Sequence, residues 1–90
     1  MLVVVVYDVP DDKRRLKLSK LLEGYGRRVQ FSVFECFLTL EEMRKLHGTV
    51  AKKVKPEDDV RFYWITEDAV SRVLTLGSKP PEGPPNAFIF

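Results

Sequence analysis

Ninety residues, 44% of them hydrophobic and 31% charged, with a formal net charge of +2, describe one globular domain and leave no room for a second core. The single cysteine, Cys36, excludes an internal disulfide, and the apolar run at residues 2–7 is far shorter than the roughly 20 residues a membrane span needs. That run also lacks the pattern of a secretion signal, so a cytoplasmic protein with no membrane attachment is expected.

Residues 2–7, LVVVVY, are β-branched and without alternation, which predicts a strand buried on both faces. Asp8 follows it, and a carboxylate at the end of such a strand is costly unless an arginine, a helix N-terminus or a metal ion meets it. Pro10, Asp11 and Asp12 predict a turn and an N-cap. Leu18, Leu21, Leu22 and Tyr25 then make one apolar helix face, stopped by Gly24 and Gly26. Arg14, Lys17 and Lys20 lie away from that face. Between residues 13 and 28 seven cations stand against one acid, Glu23, which points to a polyanionic partner or to a solvated helix face.

Residues 28–34 alternate, with Val29, Phe31 and Val33 on one side and Arg28, Gln30 and Ser32 on the other. The parity then slips at Phe34, which predicts a bulge or a tight turn between two strands. Thr39 and Glu42 have the spacing of a capping box. Met43, Leu46, Val50 and Val54 continue a second helical stripe, with Pro56 as its expected stop. Residues 60–65, VRFYWI, read as a strand. Residues 69–76 are ambiguous: Thr66 could cap a helix there, or Val70, Arg72, Leu74 and Leu76 could line one face of a strand. Residues 78–90 form a proline-rich arm tipped by Phe88, Ile89 and Phe90, leaving residues 1–77 as the domain.

The order strand, helix, strand, strand, helix, strand is the ferredoxin-like arrangement, an α+β fold whose two helices cover one sheet face. The other face is apolar in places, so a homodimer is expected. One histidine, His47, excludes a His-based metal cluster, and Cys36 reads as a small core residue. For Asp8 the residues leave two roles open: a magnesium ligand shared across a dimer axis, or an ion pair with Arg14, Arg15 or Arg28.

Three stretches, VVVYDVPDDKRRLKLSKLLEGYG, RRVQFSVFECFL and DDVRFYWI, resemble the CRISPR-associated protein 2 family, over residues 1 to about 77. The resemblance implies a ferredoxin-like homodimer in which residues 69–76 form an additional strand completing the partner sheet. It implies a magnesium-dependent endonuclease of single-stranded RNA or double-stranded DNA, with manganese as the alternative ion, that partners an integrase in spacer acquisition for antiviral defence. Asp8 would be the catalytic metal ligand. Tyr7, Arg15, Arg28 and Phe34 would handle nucleic acid, with Lys17 standing where relatives carry Arg, and Arg14 belongs to the same basic patch. Other readings are an architectural DNA-binding subunit bridging integrase dimers, a toxin-like ribonuclease, or an RNA-binding module stacking bases on Phe62, Tyr63 and Trp64. The last lacks its glycine-aromatic signature.

Overall fold

The valine run becomes a central strand paired on both edges, but it is not buried on both faces as expected: Val4 and Val6 are only half-buried and Asp8 is exposed. In the computed structural model, which describes residues 1–77, 80 and 81, β1 (Leu2–Asp8) pairs with β3 (Val33–Phe37) and with β4 (Asp59–Ile65), and β2 (Arg27–Gln30) joins β3 from outside. The sheet is antiparallel throughout, in the order β2-β3-β1-β4. With α1 (Asp12–Glu23) between β1 and β2, and α2 (Leu40–Ala51) between β3 and β4, this is the expected ferredoxin-like α+β fold.

Register divides the residues between two faces. Val3, Val5 and Tyr7 of β1, Phe34 and Cys36 of β3, and Val60, Phe62 and Trp64 of β4 share the helix-covered face. Leu18 and Leu22 of α1 and Leu46 and Val50 of α2 close over them. Leu2, Val4, Val6 and Asp8 point to the open face, beside Phe37, Glu35 and Val33 on one flank and Ile65, Tyr63, Arg61 and Asp59 on the other. That face carries half-buried valines and an isoleucine and the exposed Tyr63, and its side chains lie outside the core cluster that α1 and α2 close over.

The caps follow their residues. Asp11 accepts the Arg14 N–H at 2.8 Å, and both bonds of the Thr39–Glu42 box are made, at 2.9 and 3.1 Å. Gly26 is required by close approach: a Cβ there would strike the Glu35 carbonyl and Cys36 Sγ, so only glycine lets the chain leave α1 beneath β3.

Four further expectations need correction. The parity slip is both a bulge, between Arg28 and Gln30, and a two-residue link, Phe31-Ser32, so Phe31 sits on a turn rather than on a strand face. Helix α2 stops at Ala51, before Pro56, with the Lys53 and Val54 N–H groups both returning to the Val50 carbonyl, and the Lys55 N–H donates to Asp58 Oδ2 at 2.9 Å in the turn into β4. Residues 69–76 are not a strand. Glu67–Val70 is a short helix, α3, in which Thr66 O takes the N–H groups of Ala69 and Val70, both at 3.0 Å. Further local bonds, Arg72 to Ala69 and Val73 to Val70, continue the turn through residue 73. Arg14, finally, does not lie free on the surface of α1. Of the arm, only residues 80 and 81 are described; Phe88, Ile89 and Phe90 lie outside the described residues.

Candidate nucleic-acid and metal site

The end of β1 sends consecutive side chains to opposite faces. Tyr7 goes to the helix side, where its ring stacks on Phe34 with centroids 6.3 Å apart. Arg28, opposite Phe34 in register, lays its guanidinium 5.4 Å from the centre of that ring, a cation–π contact. The Arg28 Nη2 donates to Ser19 Oγ on α1, and Glu23 is its nearest acid at 3.9 Å. One turn earlier on the helix, Arg15 donates from Nη1 to the Val9 carbonyl at 2.9 Å and from Nη2 to Asp12.

Tyr7, Arg15, Ser19 and Arg28 border one cleft of about 310 Å³. The sheet contributes Tyr7 and Arg28, the helix contributes Asp12, Arg15, Leu16 and Ser19, and the β2–β3 turn contributes Phe31. Positions 12, 15, 16 and 19 recur at i, i+3, i+4 and i+7, so one face of α1 is turned into it. Both arginines are held at one end and, among the described residues, keep unused N–H donors. Their carboxylate partners are exposed, and exposed pairs are weak enough for an incoming phosphate to compete.

Lys17 is exposed on α1 and does not line the cleft. Arg14 is committed elsewhere. Its Nε and Nη2 grip both oxygens of Asp58 at 2.7 and 2.8 Å, and Nη2 also reaches Glu57 at 2.9 Å. The hydrogen bond from Arg14 holds the Asp58 carboxyl below the usual carboxylate range and raises the guanidinium in turn. The expected basic patch therefore divides into a structural clamp, two cleft arginines, and the exposed lysines Lys13, Lys17 and Lys20.

Asp8 stands at the exposed end of β1 on the open face, and neither Arg14, Arg15 nor Arg28 pairs with it. Directly across the ladder is Asp59 of β4, so the two carboxylates share a face. Asp59 is engaged by Arg61 at 3.4 Å. Two hard carboxylate donors suit magnesium, which commonly takes one or two of them and fills its shell with water and phosphate. No group of three or more His, Cys, Asp or Glu gathers among the described residues, so an all-protein cage is not on offer.

Other reactive groups are spent on packing. Burial, with Glu35 nearby, pushes the Cys36 thiol up to about 11, which keeps it protonated and inert. His47 sets its ring edge against Phe62, 5.3 Å between centroids.

The structure thus gathers Tyr7, Arg15, Arg28 and Phe34, sets Asp8 beside them on the opposite face, and removes Arg14. Sequence reasoning missed Asp12, Leu16, Ser19 and Phe31 as cleft residues, and Asp59 as the neighbour of Asp8. Leu16 offered a signal, being a leucine off the apolar stripe of its helix. Asp59 offered one too, as an acid opening an aromatic strand.

Residues 1–73 match the family model for CRISPR associated protein Cas2. Over 89 residues the chain is 43% identical to a Synechocystis protein named CRISPR-associated endoribonuclease Cas2 3, covering 98% of this chain and 97% of that one. The crystal structure of Streptococcus pyogenes Cas2 superposes with a TM-score of 0.73 at 37% identity, over 86% of this chain and all of the other. A chain of a partial Cas6-RT-Cas1–Cas2 complex gives a TM-score of 0.73 at 36% identity, over 88% of this chain and 93% of that one.

Proposed function

The chain belongs to the CRISPR-associated protein Cas2 family, and we propose that it is a magnesium-dependent endonuclease that works as a homodimer beside a Cas1-type integrase. One observation carries the reading: a cleft lined by Tyr7, Arg15 and Arg28, with Phe34 buried beneath the Arg28 guanidinium, lies one residue along β1 from Asp8, a carboxylate with no ion-pair partner among the described residues. The endoribonuclease name of the Synechocystis relative supports the activity, and the Cas1–Cas2 complex containing a structural neighbour supports the partner. The apolar open face of the sheet supports a second copy as its cover.

In this reading Arg15 and Arg28 hold a backbone phosphate through charge-assisted hydrogen bonds, anchored by Val9 and Ser19 so that little freedom is lost on binding. Phe34 keeps the Arg28 plane fixed from below. The next phosphate passes over the exposed end of β1, where Asp8 would hold magnesium with Asp59 alongside. When bound there, magnesium supplies Lewis-acid stabilisation to a phosphodiester under attack. Asp8 holds the ion and needs no proton transfer of its own.

The test is hydrolysis of labelled single-stranded RNA and duplex DNA by purified protein, with magnesium or with EDTA. Cleavage is expected only with magnesium, and Asp8→Asn is expected to lower it by on the order of 10²–10³-fold, the usual cost of one electrostatic stabiliser. Asp8→Asn protein that cleaves at the parent rate would overturn the assignment. An architectural role is the second reading, favoured by the Cas1–Cas2 neighbour. It predicts that Asp8→Asn protein still binds the integrase and supports spacer integration.

A further inference from the structure

Phe31 is a large aromatic residue that the fold leaves in water. It is 72% exposed, on a two-residue turn that has no steric need for an aromatic ring. The turn is not loose: Ser32, its second residue, accepts the Tyr7 N–H at 3.1 Å, which ties the hairpin end to the central strand. A large apolar ring is therefore held in water at a fixed place, beside the two cleft arginines. Across the cleft stands Leu16, 55% exposed, on the helix face that also carries Arg15.

We propose that Phe31 and Leu16 form a seat for one unpaired nucleobase, whose 5′ or 3′ phosphate is gripped by Arg15 and Arg28, so that the cleft takes single-stranded nucleic acid in preference to duplex. This rests on the nucleic-acid reading above and deepens it. Aromatic faces recognise bases by stacking, and a flat apolar ring next to guanidinium donors is the chemistry of a nucleotide, with its π-face at one end and its anion at the other. A base inside a duplex already has both faces covered, so only an unpaired one can use the exposed ring. The volume, about 310 Å³, is at the small end for ligand sites and suits one nucleotide rather than a helix turn. Arg28 is occupied by Phe34 on one side of its plane, so it cannot double as the stacking surface on that side. Phe31 serves that end.

The experiment is fluorescence anisotropy in EDTA, which separates binding from cleavage, with a labelled single-stranded oligonucleotide and its blunt duplex. Phe31→Ala is expected to weaken single-strand binding about 5- to 150-fold, the worth of one base–aromatic stack, and to leave duplex binding within twofold. Phe31→Tyr should bind as the parent does, and Phe31→Leu, apolar but without a π-face, should resemble Phe31→Ala. Melting temperatures of all three variants should match the parent, because the ring packs into no core cluster. Equal losses on single strand and duplex would overturn the seat, as would no loss on either. A parent protein that binds neither would overturn the nucleic-acid reading with it. Binding and cleavage that survive in Phe31→Ala would overturn the seat alone. Loss of integrase binding in Phe31→Ala, with single-strand affinity kept, would make the ring a protein contact and overturn the proposal.

Discussion

Gly26 and Asp58 show how single residues position the cleft without touching it. Gly26 lets β2 leave α1 directly beneath β3, and that approach places Arg28 over Phe34. Gly26→Ala must push backbone and a buried cysteine aside, and is expected to cost about 1–3 kcal/mol in denaturant unfolding, the range for overpacking. Asp58 pins the first turn of α1 through Arg14, and the same turn carries Asp12 and Arg15. Its carboxyl is depressed in the folded state, so its stabilising contribution is complete above the ordinary carboxylate value near ~3.9 and is lost as pH falls below it. Glu42, held down by the Thr39 N–H, adds to the same acid limb. The melting temperature should be flat from about pH 6 down to about pH 5 and then fall. Asp58→Asn should lower the plateau and flatten the fall, measured by thermal melts across pH.

At the scale of elements, the two helices hold their places by different means. The capping box of α2 satisfies two end groups at once, and Thr39→Ala should cost about 0.5–2 kcal/mol by chemical denaturation, without touching the cleft. Helix α1 is set by the Asp11 cap and the Arg14–Asp58 clamp, and so the cleft depends on a contact between residues 44 apart in sequence. That separation explains what the sequence could and could not disclose. The βαββαβ order and both caps are local patterns, and all were legible; which residues of β1 face inward was not, because its valines run without alternation. Whether Arg14 faces nucleic acid or Asp58 depends on how the α2–β4 turn comes back to the sheet, which no local pattern records. The Phe31-Ser32 link was hidden because a bulge at Arg28/Gln30 restored an apparent alternation through Phe31. Residues 69–76 illustrate the same limit, since over residues 66–73 bonds three and four residues apart replace the strand that the alternation suggested. The grouping of Tyr7, Arg15, Arg28 and Phe34 was legible only through family resemblance.

The two surfaces to which the proposed function assigns work lie back to back on the molecule. The helix side carries the cleft, and the open side of the sheet carries Asp8 among half-buried apolar residues. Closing a second copy over the open side would bring in further carboxylates and bury Val4, Val6 and Ile65, which is why dimerisation and metal binding belong to one proposal. Val4→Glu puts an acid beside Glu35 on that face while leaving the helix-side cluster intact. Sedimentation should show the dimer dissociation constant raised at least about tenfold, and magnesium-dependent cleavage should fall with dimer content. The measurement that tests the account most directly separates the two surfaces in one protein series: oligonucleotide affinity in EDTA and turnover in magnesium, for the parent, Arg28→Ala and Asp8→Asn. Arg28→Ala is expected to weaken metal-free binding, and Asp8→Asn to bind as tightly as the parent yet turn over on the order of 10²–10³-fold more slowly. Asp8→Asn protein that loses affinity in EDTA as steeply as Arg28→Ala, or that keeps full magnesium-dependent turnover, would contradict the account.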